Sequence, residues 1–97
     1  MMDANNPNLT TKQIQILQTI RKHWENHHED IDIDQLLEEL PYQTTKASMQ
    51  FSIQALINKG MILKLHRETR RGRSRRVIKI TPFARDMLNM NIEPIRA

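Results

Sequence analysis

One basic segment, His66–Arg76, limits most strongly how this chain can fold. It holds six arginines and one glutamate in eleven residues, with Gly72 near its middle. Apolar residues alternate with other residues on both sides of it, at Met61, Leu63 and Leu65 before it and at Ile78 and Ile80 after it. Such alternation around a polar stretch that contains glycine predicts two antiparallel strands joined by a long loop over residues 66–76. We expect the tip of this hairpin to be disordered in the free protein.

Arginines in this number repel one another unless a polyanion lies between them. A guanidinium group can donate two parallel hydrogen bonds to a phosphate or to a guanine edge, which the ammonium group of lysine cannot match. A solvated basic loop with no ligand is the simpler interpretation, but a hairpin that grips nucleic acid is favoured. The arginines concerned are Arg67, Arg70, Arg71, Arg73, Arg75 and Arg76.

Charge is distributed unevenly between the two parts of the chain. Residues 1–60 hold five Lys and Arg against eight Asp and Glu, whereas residues 61–97 hold ten against three. The second part therefore carries a surplus of positive charge that suits a polyanion. Binding to a membrane surface would usually require a basic amphipathic helix with large apolar anchors, and here the arginines lie on a turn. Nucleic acid is therefore the favoured partner.

The composition narrows the class of protein further. Ninety-seven residues, 38% of them hydrophobic, are enough for one domain with one small core. No apolar run approaches the roughly 20 residues that a membrane-spanning helix needs, and the polar start over residues 1–8 is no signal peptide. The lack of cysteine excludes disulfides and thiolate zinc sites. We expect a cytoplasmic protein with residues 1–8 as a disordered leader and with no membrane partner.

A first helix is predicted to begin after Thr10, because Thr10 and Gln13 have the spacing of a capping box. It should end near residues 26–28. Steps of three and four residues predict one buried face, formed by Ile14, Leu17, Ile20 and Trp24. A flank of this helix is formed by Ile16, His23 and His27. We expect it to contact either a further helix or a second subunit.

An acidic stretch, Glu25–Glu39, holds seven carboxylates and neither Lys nor Arg. Asp32 is a good N-cap for a short second helix, with Gln35 at the capping-box position, and Pro41 ends that helix. Its apolar face is formed by Leu36, Leu37 and Leu40. Ile31 is expected to add a residue of strand beside the hairpin. The remaining acids are interpreted as a solvated face turned away from the polyanion.

The third helix is predicted over residues 44–59, with Thr44 or Thr45 as its cap and Gly60 just past its end. Its buried face gathers Met49, Ile53, Leu56 and Ile57. The opposite face is small, neutral and able to form hydrogen bonds, and it comprises Thr44, Ala47, Ser48, Phe51, Gln54 and Asn58. A helix that faces only water more often carries Lys and Glu there, so this face is a candidate binding surface.

A last helix should follow the hairpin, with Thr81 as its N-cap and Pro82 in its first turn. Its expected buried face consists of Phe83, Met87 and Leu88. Residues 91–97 are expected to be a flexible tail. The fold class predicted for residues 9–90 is mostly α within α+β, with a core of three helices, a two-stranded β-hairpin and a C-terminal helix.

Three segments also resemble a known group of proteins. Residues 9–17, Leu-Thr-Thr-Lys-Gln-Ile-Gln-Ile-Leu, are similar to the opening of the first helix in many bacterial winged-helix regulators. Residues 56–62 are similar to the Leu-x-x-Lys-Gly-x-Ile junction between their recognition helix and wing, and residues 77–82 to their closing wing strand and helix cap. Over residues 9–90 the chain therefore resembles winged helix-turn-helix transcriptional regulators, and it is nearest to the MarR-type group.

The resemblance implies a transcriptional regulator that binds double-stranded DNA, with residues 44–59 in the major groove and the 66–76 loop on the backbone or in the minor groove. The positions that it matches to DNA contacts are Ala47, Ser48, Gln50 and Phe51, and Gln54 is a further candidate. Chemistry gives independent support, because glutamine can pair with an adenine edge and an apolar side chain can pack on a thymine methyl group. The full contact set expected on this helix is Thr44, Thr45, Lys46, Ala47, Ser48, Gln50, Phe51 and Gln54. Phe51 could instead contact a second protein.

Other kinds of site are weakly indicated. His23 and His27 share a helix face, but no third ligand of matching spacing is evident, so no metal site is expected. No phosphate-binding glycine loop, nucleophile elbow or apolar carboxylate pair indicates an enzyme, and no cofactor is expected.

Two alternatives stay open: an accessory protein of replication or partition with the same fold, and a protein-interaction module that uses Phe51 and the flank of the first helix. A homodimer through the first and last helices is a further expectation, since symmetric DNA sites are usually bound by symmetric dimers.

Overall fold

The structure is a computed structural model that describes residues 8–90 and residue 94. The leader and tail predicted for residues 1–8 and 91–97 lie outside the described residues, apart from Asn8 and Pro94. The elements of the described part are α1 (Thr11–His27), β1 (Ile31–Asp32), α2 (Ile33–Glu39), α3 (Lys46–Asn58), β2 (Ile62–Arg70), β3 (Arg73–Ile80) and α4 (Pro82–Asn89). In this part of the chain, four helices and one antiparallel sheet with strand order β1-β3-β2 confirm the predicted α+β class. None of these helices combines the length and the apolar character needed to cross a bilayer.

Side chains cap the first two helices at the positions that the sequence predicted. The hydroxyl of Thr10 accepts a hydrogen bond from the backbone N–H of Gln13 at 3.1 Å, and the Gln13 side chain accepts one from the backbone of Thr10 at 3.0 Å. Asp32 and Gln35 form the same reciprocal pair at the start of α2. Each pair satisfies backbone N–H groups that the first turn of a helix leaves without an intrahelical partner. Both helices therefore begin where predicted.

The buried face of α1 is rotated relative to the prediction. Trp24, expected in the core, leaves 47% of its surface exposed, whereas Ile16 and His23 from the predicted flank are buried. The flank meets a further helix of the same chain, because Nδ1 of His23 lies 2.9 Å from a carboxylate oxygen of Glu39 on α2. This hydrogen bond allows a polar ring to enter the core, although Nε2 of that ring has no partner among the described residues. The prediction for Trp24 was therefore wrong, because α2 covers α1 on the His23 side.

The last helix, α4, also buries a different face from the one predicted. Ala84 is buried together with Met87 and Leu88, and Phe83 is 45% exposed. Residues at i, i+3 and i+4 share one side of a helix, so Ala84 lies in line with the other two and the prediction for Phe83 was wrong. The other fully buried apolar side chains are Leu9, Ile16, Leu17, Ile31, Leu36, Met49, Leu56, Met61, Ile62, Val77 and Ile78. The core therefore lies between the helices and the inner face of the sheet.

The hairpin of β2 and β3 is longer and tighter than predicted. Pairing continues to Arg70 and Arg73, so only Arg71 and Gly72 form the turn. Both turn residues have positive φ, 55° and 76° respectively, which a type I′ turn requires and which matches the twist of the strands. The long loop predicted for residues 66–76 was therefore wrong. All of these arginines except Arg71 lie on paired strands, where side chains point to defined faces of the sheet.

One irregularity on β2 sets the direction of the side chains beyond it. Lys64 pairs with Ile78 and the next pair joins Arg67 to Arg76, so two residues of β2 stand opposite one residue of β3. Such a β-bulge interrupts the alternation of side chains between the two faces of a strand. Lys64 and Arg67 therefore lie on the same face as Ile78. Leu63, before the bulge, pairs with Lys79 and is half exposed.

The short strand β1 completes the sheet at the other edge of β3. Ile31 pairs with Ile78 and Asp32 pairs with Val77. This confirms the strand residue predicted at Ile31 and extends it by one position. Because α2 follows β1 directly, the first turn of α2 lies beside the part of the hairpin that is nearer its turn.

Candidate nucleic-acid interface

Helix α3 exposes the face that its periodicity predicted. Thr45 accepts a hydrogen bond from the backbone of Ser48 at 3.1 Å and caps the helix, and Gly60, with a φ of 75°, follows its end. The side chains buried on its inner side are Met49, Ile53 and Leu56. The exposed members of the predicted contact set are Thr45, Lys46, Ala47, Ser48, Gln50, Phe51 and Gln54, whereas Thr44 is half-buried.

This exposed face of α3 has few internal polar contacts. The side chains of Ser48 and Gln50 make no hydrogen bond or ion pair within the described part of the chain. Gln54 donates one hydrogen bond to Asn58, at 3.1 Å and within the same helix. Phe51 is 81% exposed. Hydrogen-bonding groups on this face are therefore available to an external partner.

A cleft of about 180 Å³ separates α3 from the hairpin. Lys64, Arg67 and Arg76 line its hairpin side, and Gln50 and Gln54 line its helix side. The rest of its lining is apolar and consists of Ile33, Ile53, Ile57 and Ile78. No carboxylate of the described residues lines the cleft, so three cations converge there without a counter-charge. We call Lys64, Arg67 and Arg76 the base cations.

Two structural features orient the base cations. Nη1 of Arg76 donates a hydrogen bond to the backbone carbonyl of Leu65 at 2.6 Å, which holds its guanidinium group beside the cleft. The β-bulge brings Lys64 and Arg67 to one face of β2. The sequence predicted Arg67 and Arg76 as contacts but missed Lys64, because Lys64 lies outside the basic segment of residues 66–76. Three consecutive apolar residues before Lys64 leave the phase of the alternation ambiguous, so the sequence alone carries no signal that places it.

We call residues 70–75, nearer the turn of the hairpin, its tip, and two of the tip arginines are neutralised within the chain. The side chain of Arg75 is only 9% exposed, forms an ion pair with Asp34 on α2 and donates to the carbonyl of Arg70 at 3.2 Å. Arg70 pairs with Glu68 at 2.8 Å and lies 3.5 Å from a carboxylate oxygen of Asp32. A guanidinium group withdrawn from water requires such partners. These two arginines therefore hold the hairpin tip against α2.

The remaining cations near the tip are more exposed. Arg71 lies 3.7 Å from Glu38, and because both side chains are exposed, water screens this pair. Arg73 is exposed and makes no ion pair within the described residues. Lys46, at the start of α3, pairs with Asp34 at 2.8 Å. The predicted basic set thus divides into residues with a carboxylate partner and residues without one.

The prediction that the acids of residues 25–39 other than the N-cap Asp32 are turned away from the basic hairpin was wrong for Asp34 and Glu38. Both lie beside tip arginines, as Asp32 also does. The reason is the pairing of β1 with β3, which places the first turn of α2 next to the tip. Asp34 also links two elements, because its carboxylate contacts Lys46 on α3 as well as Arg75 on β3.

Local positive charge keeps two carboxylates that contact tip arginines, Asp34 and Glu68, ionised. The hydrogen bond from Lys46, together with nearby positive charges, lowers the pKa of Asp34 below its ordinary value of 3.8, although burial opposes the change. Hydrogen bonds from Arg70 and then His66 lower the pKa of Glu68. The carboxylates that neutralise Arg70 and Arg75 through these contacts are therefore charged at neutral pH.

Outside α3 and the hairpin, the described part of the structure gives little further indication of a function. Residues 8–90 and 94 contain no group of three or more His, Cys, Asp or Glu side chains that could hold a metal ion. The rings of His23 and His27 pack on each other with their centroids 4.5 Å apart. No family model, curated protein or solved structure matches this chain.

Proposed function

We propose that this chain is a cytoplasmic winged helix-turn-helix protein that binds double-stranded DNA at specific sequences and regulates transcription. The helices α1, α2 and α3 form its three-helix core, α3 is the recognition helix, and the hairpin of β2 and β3 is the wing. In the complex α3 lies in the major groove, and the wing follows the phosphate backbone or enters the minor groove. The order of the elements supports this assignment, as does the resemblance of residues 9–90 to MarR-type regulators.

The observation that carries the proposal is the position of the base cations beside the exposed face of α3. The major groove is about 12 Å wide and admits a helix, and phosphates border it on both sides. Neutral hydrogen-bonding groups such as that of Gln54 can read base edges, whereas cations such as Arg67 suit phosphates. Here the two kinds of group lie on opposite walls of one cleft. This arrangement suits a polyanion whose charged backbone runs beside readable bases.

A homodimer is part of the proposal. Half-exposed aromatic side chains remain on the two helices that the sequence singled out for a twofold contact, Trp24 on α1 and Phe83 on α4. A second copy that covered them would present two α3 helices to two half-sites about one helical turn apart.

Selection of bound sequences from random duplex DNA tests the proposed function. We expect enrichment of a defined site, with twofold symmetry if a dimer binds. Gln54→Ala should weaken binding to that site by about 1–3 kcal/mol, because a base contact is lost, and should change binding to random duplex little. Gln18→Ala is the matched control, since Gln18 is an exposed glutamine on α1.

Two outcomes of that experiment would count against the proposal. If Gln54→Ala weakened binding to both DNAs equally, or to neither, α3 would not read bases through this residue. If the wild-type protein enriched no duplex sequence at all, the assignment to specific DNA binding would fall.

A protein-interaction module is the second candidate, and the exposure of Phe51 is the observation that favours it. Of the flank of α1 only His27 is exposed, because Ile16 and His23 are buried within the chain. Phe51 therefore stands alone on a polar face, whereas a stable protein interface buries about 800 Å² per partner. Failure of the wild-type protein to bind any duplex would favour this candidate over DNA binding.

A further inference from the structure

We propose that the cleft between α3 and the hairpin seats one phosphate of the DNA backbone, held by the base cations Lys64, Arg67 and Arg76. This inference rests on the proposed function, because it names the part of the duplex that the cleft binds. A phosphate held there fixes the position of α3 along the groove. Gln50 and Gln54, on the other wall of the cleft, then face the same base pairs in every complex.

The chemistry of the cleft suits a single tetrahedral anion. Its volume of about 180 Å³ is several times the roughly 30 Å³ that one molecule occupies in liquid water. Arg67 and Arg76 supply guanidinium groups that can donate paired hydrogen bonds, and Lys64 adds a compact ammonium charge. The amide groups of Gln50 and Gln54 line the facing wall, where they stay available to base edges. The charged donors to the phosphate therefore come from the hairpin side of the cleft.

The electrostatic setting favours an external anion. Among the described residues the base cations have no carboxylate partner, whereas Arg70 and Arg75, a few positions away on the same two strands, each have at least one. The isoleucine side chains of the lining keep water from one side of the cleft, which strengthens the attraction between opposite charges. No carboxylate of residues 8–90 or 94 neutralises the positive charge of the cleft, which therefore attracts an anion from outside this part of the chain.

The β-bulge is the structural device that assembles the site. In a regular strand, residues three positions apart such as Lys64 and Arg67 point to opposite faces. Here two residues of β2 stand opposite Val77, so the alternation is reset and both cations line the cleft. The same hairpin without a bulge would turn Arg67 away from α3.

Removal of single phosphate charges tests the proposal. Duplexes that carry the selected site would each have one phosphate replaced by an uncharged methylphosphonate, at every position in turn. Binding of each duplex would be measured for the wild-type protein and for the variants Lys64→Gln and Arg67→Gln. Lys79→Gln is the matched control, because Lys79 is exposed, alternates with the cleft residue Ile78 on β3 and loses the same charge. Thermal melts identify any variant that does not fold.

We expect one methylphosphonate position, with its mate in a symmetric site, to weaken binding of the wild type and of Lys79→Gln about tenfold or more, as for the loss of a charged hydrogen bond. Arg67→Gln and Lys64→Gln should bind the unmodified site more weakly and should be insensitive at that position. The slope of log K against log salt should fall by about 0.9 in each. If both variants respond at every position as the wild type does, the cleft seats no phosphate although the protein binds DNA. If the wild type binds no duplex, the proposed function fails and this inference fails with it.

Discussion

The base and the tip of one hairpin carry the same kind of side chain in opposite electrostatic settings. At the base, Arg67 and Arg76 line a cleft beside α3 that no carboxylate among the described residues lines. At the tip, Arg70 and Arg75 are held by carboxylates of the same chain. The difference arises from what lies next to each half of the hairpin, the neutral face of α3 beside the base and the acidic first turn of α2 beside the tip. A count of arginines therefore overstates how many are available to a polyanion.

The largest difference between the base and the tip of the hairpin is expected in stability, and the variant Arg75→Ala should show it. This change leaves the Asp34 carboxylate without one of its partners and removes the apolar part of a nearly buried side chain. We expect the free energy of unfolding to fall by about 1–3 kcal/mol, less than the roughly 3–5 kcal/mol for a fully buried pair because Asp34 is partly exposed. Arg67→Ala, at the exposed base, should change it by no more than about 0.5 kcal/mol. Urea titrations measure both values, and equal losses would show that the base and tip do not differ in this respect.

A smaller effect is expected from Asp34→Asn. This variant removes a carboxylate from beside the tip, so that the charges there resemble those at the base. This change releases Lys46 and Arg75 from their carboxylate partner. Binding to random duplex should strengthen, and the slope of log K against log salt should steepen by up to about 0.9 for each cation that reaches a phosphate. Binding to the selected site should gain less, because Asp34 no longer ties α3 to the hairpin, so discrimination between the two DNAs falls.

Salt titrations on selected and random duplex measure the effect of Asp34→Asn. Asp86→Asn is the matched control, since it removes the same charge from an exposed position on α4. An unchanged slope for Asp34→Asn would show that the cations held at the tip do not reach DNA even when they are released.

Local signals were sufficient to predict where the helices begin and end. Thr10 and Asp32 cap the first two helices and Gly60 follows the third, because capping depends on residues within about one turn. The buried sides of the helices were harder to predict. Trp24 and Phe83 are large and apolar but lie half outside the core, because burial depends on where the other elements pack.

The make-up of the candidate site depended on contacts between distant parts of the chain. The exposed face of α3 followed from its helical periodicity and includes Ser48 and Gln54. The ion pair of Asp34 with Arg75, in contrast, joins residues 41 positions apart, and no local pattern encodes it. The bulge that brings Arg67 to the same face as Lys64 breaks the alternation from which strand faces are predicted. Long-range pairing therefore decides which cations keep an internal partner, and their contacts with DNA stay a prediction.

The smallest effect on stability is expected from Arg71→Asn in the turn. Arg71 has a positive φ of 55°, a conformation that asparagine adopts more readily than arginine, and Asn-Gly is a preferred pair for a type I′ turn. The change also gives up the exposed pair with Glu38, which contributes at most about 1 kcal/mol. Because the two effects oppose each other, the free energy of unfolding in urea should change by no more than about 0.5 kcal/mol. A larger loss would show that Arg71 belongs with Arg75 as a residue that holds the fold.

The salt dependence of DNA binding by Arg71→Asn tests whether Arg71 behaves like the base cations or like Arg70 and Arg75. The contact of Arg71 with Glu38 is open to water, so Arg71 can leave it for a phosphate, as the more buried Arg70 and Arg75 cannot. We therefore expect Arg71→Asn to lower the salt slope by about 0.9 on both selected and random duplex. Glu38→Gln, which keeps the arginine and removes its partner, should not lower the slope. If Arg71→Asn leaves the slope unchanged, an exposed ion pair is enough to withhold an arginine from DNA, and the phosphate contacts of the hairpin reduce to the base cations and Arg73.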